Sequence, residues 1–216
     1  MKKTALLVLL LWSCGVNAQV YQARDLSIGA GMGAQSVSYD ISDTAGYRDH
    51  IGGLSGTNFA FRADFGLSAF MGIGLSYSNS ILQNLSDVGE ASRGVSEFGA
   101  EALYHVPWKN QFVDLGVAAG LGLSTYNYQS YETNYARSMI SSVMYFAEAR
   151  PRFYFSRKNR LGAFAYYRFT YYTGYGDASD KTTPRYEYDV FGRSHLFGGG
   201  LFYRLGRQRS VKQESN

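Results

Sequence analysis

Residues 26 to 34 read LSIGAGMGA, and their alternation restricts the chain more than any other feature. Leu26, Ile28, Ala30, Met32 and Ala34 fall on one side of an extended segment, and Ser27, Gly29, Gly31 and Gly33 on the other. A helix would return its apolar residues every three or four positions, so a two-residue period specifies a strand. Seven more segments repeat the scheme. NFAFRADF sets Phe59, Phe61, Ala63 and Phe65 against Arg62 and Asp64, and MGIGLSYS sets Met71, Ile73, Leu75 and Tyr77 against Gly72 and Gly74. VSEFGAEALYH, FVDLGVAAGLGLST, SVMYFAEARPRF, LGAFAYYRFTY and HLFGGGLFYRL complete the set, giving eight predicted strands.

The charges in these strands keep to one face. Arg62, Asp64, Glu97, Glu101, Asp114, Glu148, Arg150, Arg152, Arg168 and Arg204 all oppose the apolar side, five acids with five bases. In hydrocarbon each charge at the midplane would cost roughly 2–4 kcal/mol. The charged face therefore turns inward and the apolar face meets lipid. The expected fold is an all-β, eight-stranded antiparallel up-and-down transmembrane β-barrel. At this strand number the interior is only wide enough for side chains, so the balanced charges should form an ion-pair network that plugs the lumen. Arginine suits it, because its fork bonds carboxylates bidentately.

The connections read as alternately long and short. Polar stretches near 41–57, 79–92, 127–138 and 173–193 are expected as exterior loops, and 67–69, 106–111 and 156–160 as tight turns. Long loops at one end, with both termini at the other, is the pattern of an outer-membrane barrel. The chain opens with Lys2 and Lys3, an apolar run from Ala5 to Trp12, and Val16-Asn17-Ala18, the pattern of a secretory signal peptide over 1–18. The run is too short for a transmembrane helix. A lipoprotein signal built on Cys14 competes poorly, because Trp12 and Ser13 are unsuited to the approach. Cleavage after Ala18 leaves 198 of the 216 residues, without cysteine, and lowers the formal charge from +4 to +2 by removing two lysines. The barrel would span 19–205, and 206–216 would be a periplasmic C-terminal tail.

The alternating glycines invite comparison with a phosphate-binding loop. A dinucleotide fingerprint needs a helix after its glycines and an acid about twenty residues on. Here Gln35, Ser36, Val37 and Ser38 follow, then a polar stretch. The glycines are better explained as room for long interior side chains. Two aromatic belts are expected, where rings meet lipid and water together. Tyr39, Phe59, Tyr77, Tyr126 and Tyr171 would mark the outer interface, and Tyr104, Trp108, Phe112, Phe153 and Tyr203 the periplasmic one.

The strands LSIGAGMGA, MGIGLSYS and VAAGLGLS, the turn HVPWKN and the closing strand LFGGGLFYRL together resemble the small outer-membrane β-barrel proteins. That class includes the OmpA membrane domain and OmpX, and in composition the chain is similar to outer membrane β-barrels of the Bacteroidota. The resemblance covers nearly the whole mature chain and carries no diagnostic functional motif. It implies a Gram-negative outer-membrane location with extracellular loops and periplasmic termini. One departure is GRQRSVKQESN, which continues past the closing strand and makes the insertion signal internal.

No segment concentrates basic charge as nucleic-acid binding demands. Three histidines, His50, His105 and His195, lie in different regions, and no serine stands in a nucleophile context. His50 and His195 could approach across the barrel mouth, yet the expectation is no enzyme, no metal and no cofactor. The function expected is that of a structural or interaction subunit, with outer-membrane lipid around it. A further envelope protein or membrane complex would dock through loops, outer wall or tail. A narrow channel or a transporter of small or hydrophobic ligands is the alternative. Tyr175, Tyr186, Tyr188 and Phe191, in the last long polar stretch, are candidate interaction anchors, since interfaces favour rigid aromatics.

Overall fold

The computed structural model describes residues 24–42, 48–68, 70–84, 91–106, 112–130, 137–155, 160–179 and 186–206. The signal peptide expected over 1–18 and the tail after Gly206 lie outside the described residues. The chain forms eight antiparallel strands: β1 Leu26–Ser42, β2 Arg48–Gly66, β3 Met71–Asn84, β4 Ala91–Val106, β5 Val113–Ser130, β6 Arg137–Tyr154, β7 Leu161–Ser179 and β8 Tyr186–Leu205. Each pairs with the next, and β1 pairs with β8 from Leu26↔Leu205 to Ser42↔Asp189, so the barrel is closed.

The strands run far into the stretches read as long loops. They are 14 to 20 residues long, where about 9–11 tilted residues cross a membrane. Connections at the two ends are consequently of similar length, five or six residues at the upper end and four to six at the lower. The expected loops 41–57, 79–92 and 173–193 are thus mostly strand, and 127–138 is half strand. Tyr175, Tyr186, Tyr188 and Phe191 stand on β7 and β8 and not in a loop.

The reason is a reversal of amphipathicity along each strand. From Leu26 to Ala34 the outward residues of β1 are apolar; from Ser36 to Ser42 they are Ser and Asp, and the inward Val37 and Tyr39 are buried. The same exchange puts Leu54, Leu82, Val95, Tyr126, Ile140, Met144, Tyr172, Tyr188 and Val190 inside the upper barrel. Below the exchange the wall is built for lipid; above it the same wall is built as a water-soluble protein, polar outside and apolar within. A strand whose apolar face changes sides halfway loses its period-2 signature and reads as polar loop.

Two local features shape the ends. Between β2 and β3, Ser68 Oγ accepts from the amides of Phe70 (3.2 Å) and Met71 (3.0 Å), and the amide of Leu67 donates to the Met71 carbonyl (2.9 Å), closing a tight turn. Between β1 and β2 the register shifts from Val37↔Leu54 to Tyr39↔Ile51, and Gly53 adopts φ 73°. A glycine in the left-handed region is the usual device of such a bulge, and it bends the hairpin. The pairing of β2 with β3 stops at Leu54↔Asn84, so before Leu54 β2 pairs with β1 alone, while β1 stays paired with β8 as far as Ser42↔Asp189.

Candidate functional site

The lumen is filled in layers. In the middle, Arg150 is fully enclosed and reaches three carboxylates: Nε donates to Glu148 (2.6 Å), Nη2 to Glu101 (2.6 Å) and Nη1 to Asp64 (3.0 Å). Arg168 donates to Glu148 (2.8 Å), to Glu101 (3.4 Å) and to Ser76 Oγ (3.1 Å), and its guanidinium lies 4.0 Å from the Phe146 ring centroid. Arg62 bonds Glu148 from the other side and stacks 4.2 Å over Tyr166, while Arg152 bonds Asp64. These seven charged side chains come from β2, β4, β6 and β7 and form one continuous network. Both oxygens of Asp64, Glu101 and Glu148 accept from guanidinium groups, so each carboxylate is held by charge-assisted hydrogen bonds on both sides.

The other sequence-predicted lumen residues take different partners. Glu97 accepts from Gln35 Nε2 (3.0 Å), from Ser78 Oγ (2.9 Å) and from the Tyr172 hydroxyl, not from an arginine. Gln35 also meets Ser194 (3.3 Å), Ser80 bonds Gln35, and Asn58 donates to Ser80 (2.7 Å), which surrounds Glu97 with a layer of uncharged polar groups beside the ion pairs. Asp114 pairs with His105 (2.7 Å), and Arg204 with Asp25 (2.7 Å), near the end that carries the termini. Gln35, Asn58, Ser76, Ser78, Ser80, Tyr172, Ser194, His105 and Asp25 were missed as network members. Within the strands the signal was present: each occupies the inward parity of its strand.

Two apolar clusters complete the filling. Tyr39 packs against Tyr126 (centroids 5.4 Å apart) and Tyr172 (5.6 Å) in the upper one. Tyr154, Phe164, Tyr166, Leu196 and Phe202 form the lower one with Ala60. Tyr39 and Tyr126 therefore do not belong to the outer lipid-facing belt expected from sequence. Their parity turns them inward, where the upper barrel needs apolar volume. Phe59, Tyr77 and Tyr171, and at the other end Tyr104, Phe112, Phe153 and Tyr203, do face outward; Trp108 lies outside the described residues.

The wall carries large exposed apolar side chains all round, among them Met32, Phe61, Leu75, Phe98, Leu121, Tyr145, Tyr167 and Phe197, the last 64 % exposed. A contiguous belt of this size on a charge-filled barrel is a lipid-facing surface. Of the four candidate anchors, Tyr175 is 67 % exposed and Phe191 also faces outward, whereas Tyr188 is 6 % exposed and shares a 2.6 Å hydrogen bond with Ser138 inside the barrel. Tyr188 thus fills the upper core, because its even position in β8 is an inward one; the side chain of Tyr186 lies outside the described set. His50 bonds Asp40 (2.6 Å) at the tip of the first hairpin, and His195 bonds Tyr167 (2.8 Å) on the outer wall. They do not meet across the mouth, since His195 points away from the lumen. Among the described residues no group of three or more His, Cys, Asp or Glu is placed to hold a metal ion.

No protein-family model and no curated protein sequence matches the chain. Solved structures do. The outer membrane protein OprG from Pseudomonas aeruginosa superposes with a TM-score of 0.58 at 15% identity, over 88% of this chain and 100% of that one. A major outer membrane protein from Thermus thermophilus gives 0.56 at 13% identity, over 85% and 100%. The outer membrane protein AlkL, determined in lipid bilayers, gives 0.54 at 13% identity, over 92% and 98%. At such identities the likeness is one of fold, and the fold is that of the small eight-stranded outer-membrane β-barrels, the structural class of the OmpA membrane domain and OmpX.

Proposed function

We propose that this protein is a non-enzymatic outer-membrane barrel that acts by contact, as a structural or interaction subunit of the envelope. The observation that carries the reading is the lumen: ion pairs, a polar layer around Glu97 and two apolar clusters are packed inside it. In the proposed orientation the strand ends at 42–48, 84–91, 130–137 and 179–186 point outward from the cell and both termini lie in the periplasm. The strands that overrun the bilayer at that end support this, because an outer-membrane barrel carries its longer exterior segments on the extracellular side. The glycine- and tyrosine-rich composition supports a Bacteroidota-type barrel in particular. Loops, outer wall and the tail over 206–216 remain the surfaces for a partner.

The test is twofold. Extraction from native membranes in mild detergent should bring down a co-purifying envelope protein, and the pure barrel in planar bilayers should give no steady conductance. A lone monomer with a stable open channel would replace this reading with the transport alternative, a narrow channel or a carrier of small or hydrophobic ligands.

A further inference from the structure

One patch breaks the apolar wall at a definite height. Along the outward face of β8, Tyr203, Leu201 and Phe197 are exposed apolar residues, and the next two outward positions are His195 and Arg193, both exposed. Ten residues separate Tyr203, in the lower aromatic belt, from Arg193. At a rise of about 3.3 Å per residue and a tilt near 40°, that is roughly 25 Å along the membrane normal. An outer-membrane apolar band is about 25 Å tall, so Arg193 stands at its upper edge and His195 just below.

The residues beside this pair are donors or rings. Arg193 lies opposite Ser38 of β1 and Tyr171 of β7; His195 lies opposite Ser36 and Phe169. The imidazole is fixed by its 2.8 Å bond from Nδ1 to the Tyr167 hydroxyl and by the Phe169 ring, 5.2 Å away between centroids. Nε2 is the ring's other polar atom. The acids on this face, Asp40, Asp177, Asp189 and Glu187, all stand farther up, with Asp40 opposite Phe191 and bonded to His50 and Asp177 opposite Glu187. An anion is therefore welcome in the strip at the bilayer surface and opposed above it, which suits a compact headgroup and not a polyanion climbing the wall.

We infer that Arg193 and His195, with the hydroxyls of Ser36, Ser38 and Tyr171, form a docking site for the phosphate of an outer-leaflet lipid. Arginine supplies the fork that phosphate oxygens accept, and the flanking aromatic rings cover the upper acyl chains. The inference rests on the membrane orientation proposed above.

The test uses the full chain in phosphatidylcholine vesicles containing lipid A, either with both phosphates or fully dephosphorylated. Co-extracted lipid is counted by native mass spectrometry. The wild-type protein should retain the phosphorylated form over the dephosphorylated one by about tenfold, the size of one charge-assisted hydrogen bond. The double variant Arg193→Gln/His195→Gln should lose that preference, while Arg160→Gln, an exposed arginine at the opposite end, should keep it. A preference retained by the double variant, or displaced by inorganic phosphate at matched concentration, overturns the lipid site. Heat-modified gel mobility in the same samples separates the two levels of failure. A folded, inserted barrel without lipid preference refutes the patch alone, and a chain that does not insert refutes the membrane barrel as well.

Discussion

Arg150 shows what the interior demands of a single residue. It is buried with three carboxylates on its guanidinium, and truncating it would leave Asp64, Glu101 and Glu148 short of positive charge. Arg150→Ala should destabilise the barrel by about 3–5 kcal/mol, measured by urea unfolding in vesicles. A loss below about 0.5 kcal/mol, the usual range for a surface site, would mean that water replaces the guanidinium. Glycine has a complementary role. A Cβ on Gly74 would stand 2.6 Å from Asp64 Oδ1 and 3.0 Å from Glu101 Cγ, so this glycine makes the space the network occupies. On Gly116 the nearest atom would be the Arg150 carbonyl oxygen at 3.4 Å, an ordinary contact. Gly74→Ala should therefore cost about 1–3 kcal/mol as an overpacked core does, and Gly116→Ala should stay within about 0.5 kcal/mol.

At the scale of the strand, the lipid-facing halves were legible and the upper halves were not. The parity that carried Leu26 to Ala34 and Leu161 to Tyr171 is obeyed without exception by the charged residues of the central network. Beyond the bilayer the solvent on the wall changes, so Ser36, Thr57, Asn79 and Thr125 face outward while Val37, Leu54, Leu82 and Tyr126 face inward. Sequence reading that expects one solvent along a strand takes this exchange for the end of the strand. The individual ion pairs were illegible for another reason: the stagger of neighbouring strands decides which inward residues share a level. Leu75→Arg, on the outward face of β3 within the apolar band, should destabilise by roughly 2–4 kcal/mol, and Ile81→Arg, six residues on and at the band's upper edge, by at most about 1 kcal/mol. Equal penalties in vesicle unfolding would place the boundary elsewhere. At the bulge, Gly53→Ala forces an L side chain into left-handed backbone, with no atom within 4 Å to clash, and should cost about 1–2 kcal/mol.

For the molecule as a whole, every strand has a partner on each side, and closure leaves unpaired sheet edge only at strand ends, such as β2 before Leu54 on its β3 side. Replacing 180–185 with a short Gly/Ser connection should leave heat-modified mobility intact, since the β7–β8 pairing runs from Leu161↔Tyr203 to Ala178↔Tyr186 without that segment. A cysteine placed at Ser179 should react with an impermeant label on intact cells, and one at Asn159, between β6 and β7, should be protected. The reverse pattern would invert the proposed orientation.

The exchange of faces along the strands also fixes how deep the protein sits. Moving the barrel outward by one residue pair would lift Phe59, Leu123 and Phe197 toward water, and moving it inward would carry Ser36, Thr57 and Arg193 into hydrocarbon. Both displacements are opposed on all eight strands at once, so the barrel behaves as a float with a marked waterline. Whatever the upper rim presents is therefore held at a set height above the bilayer surface.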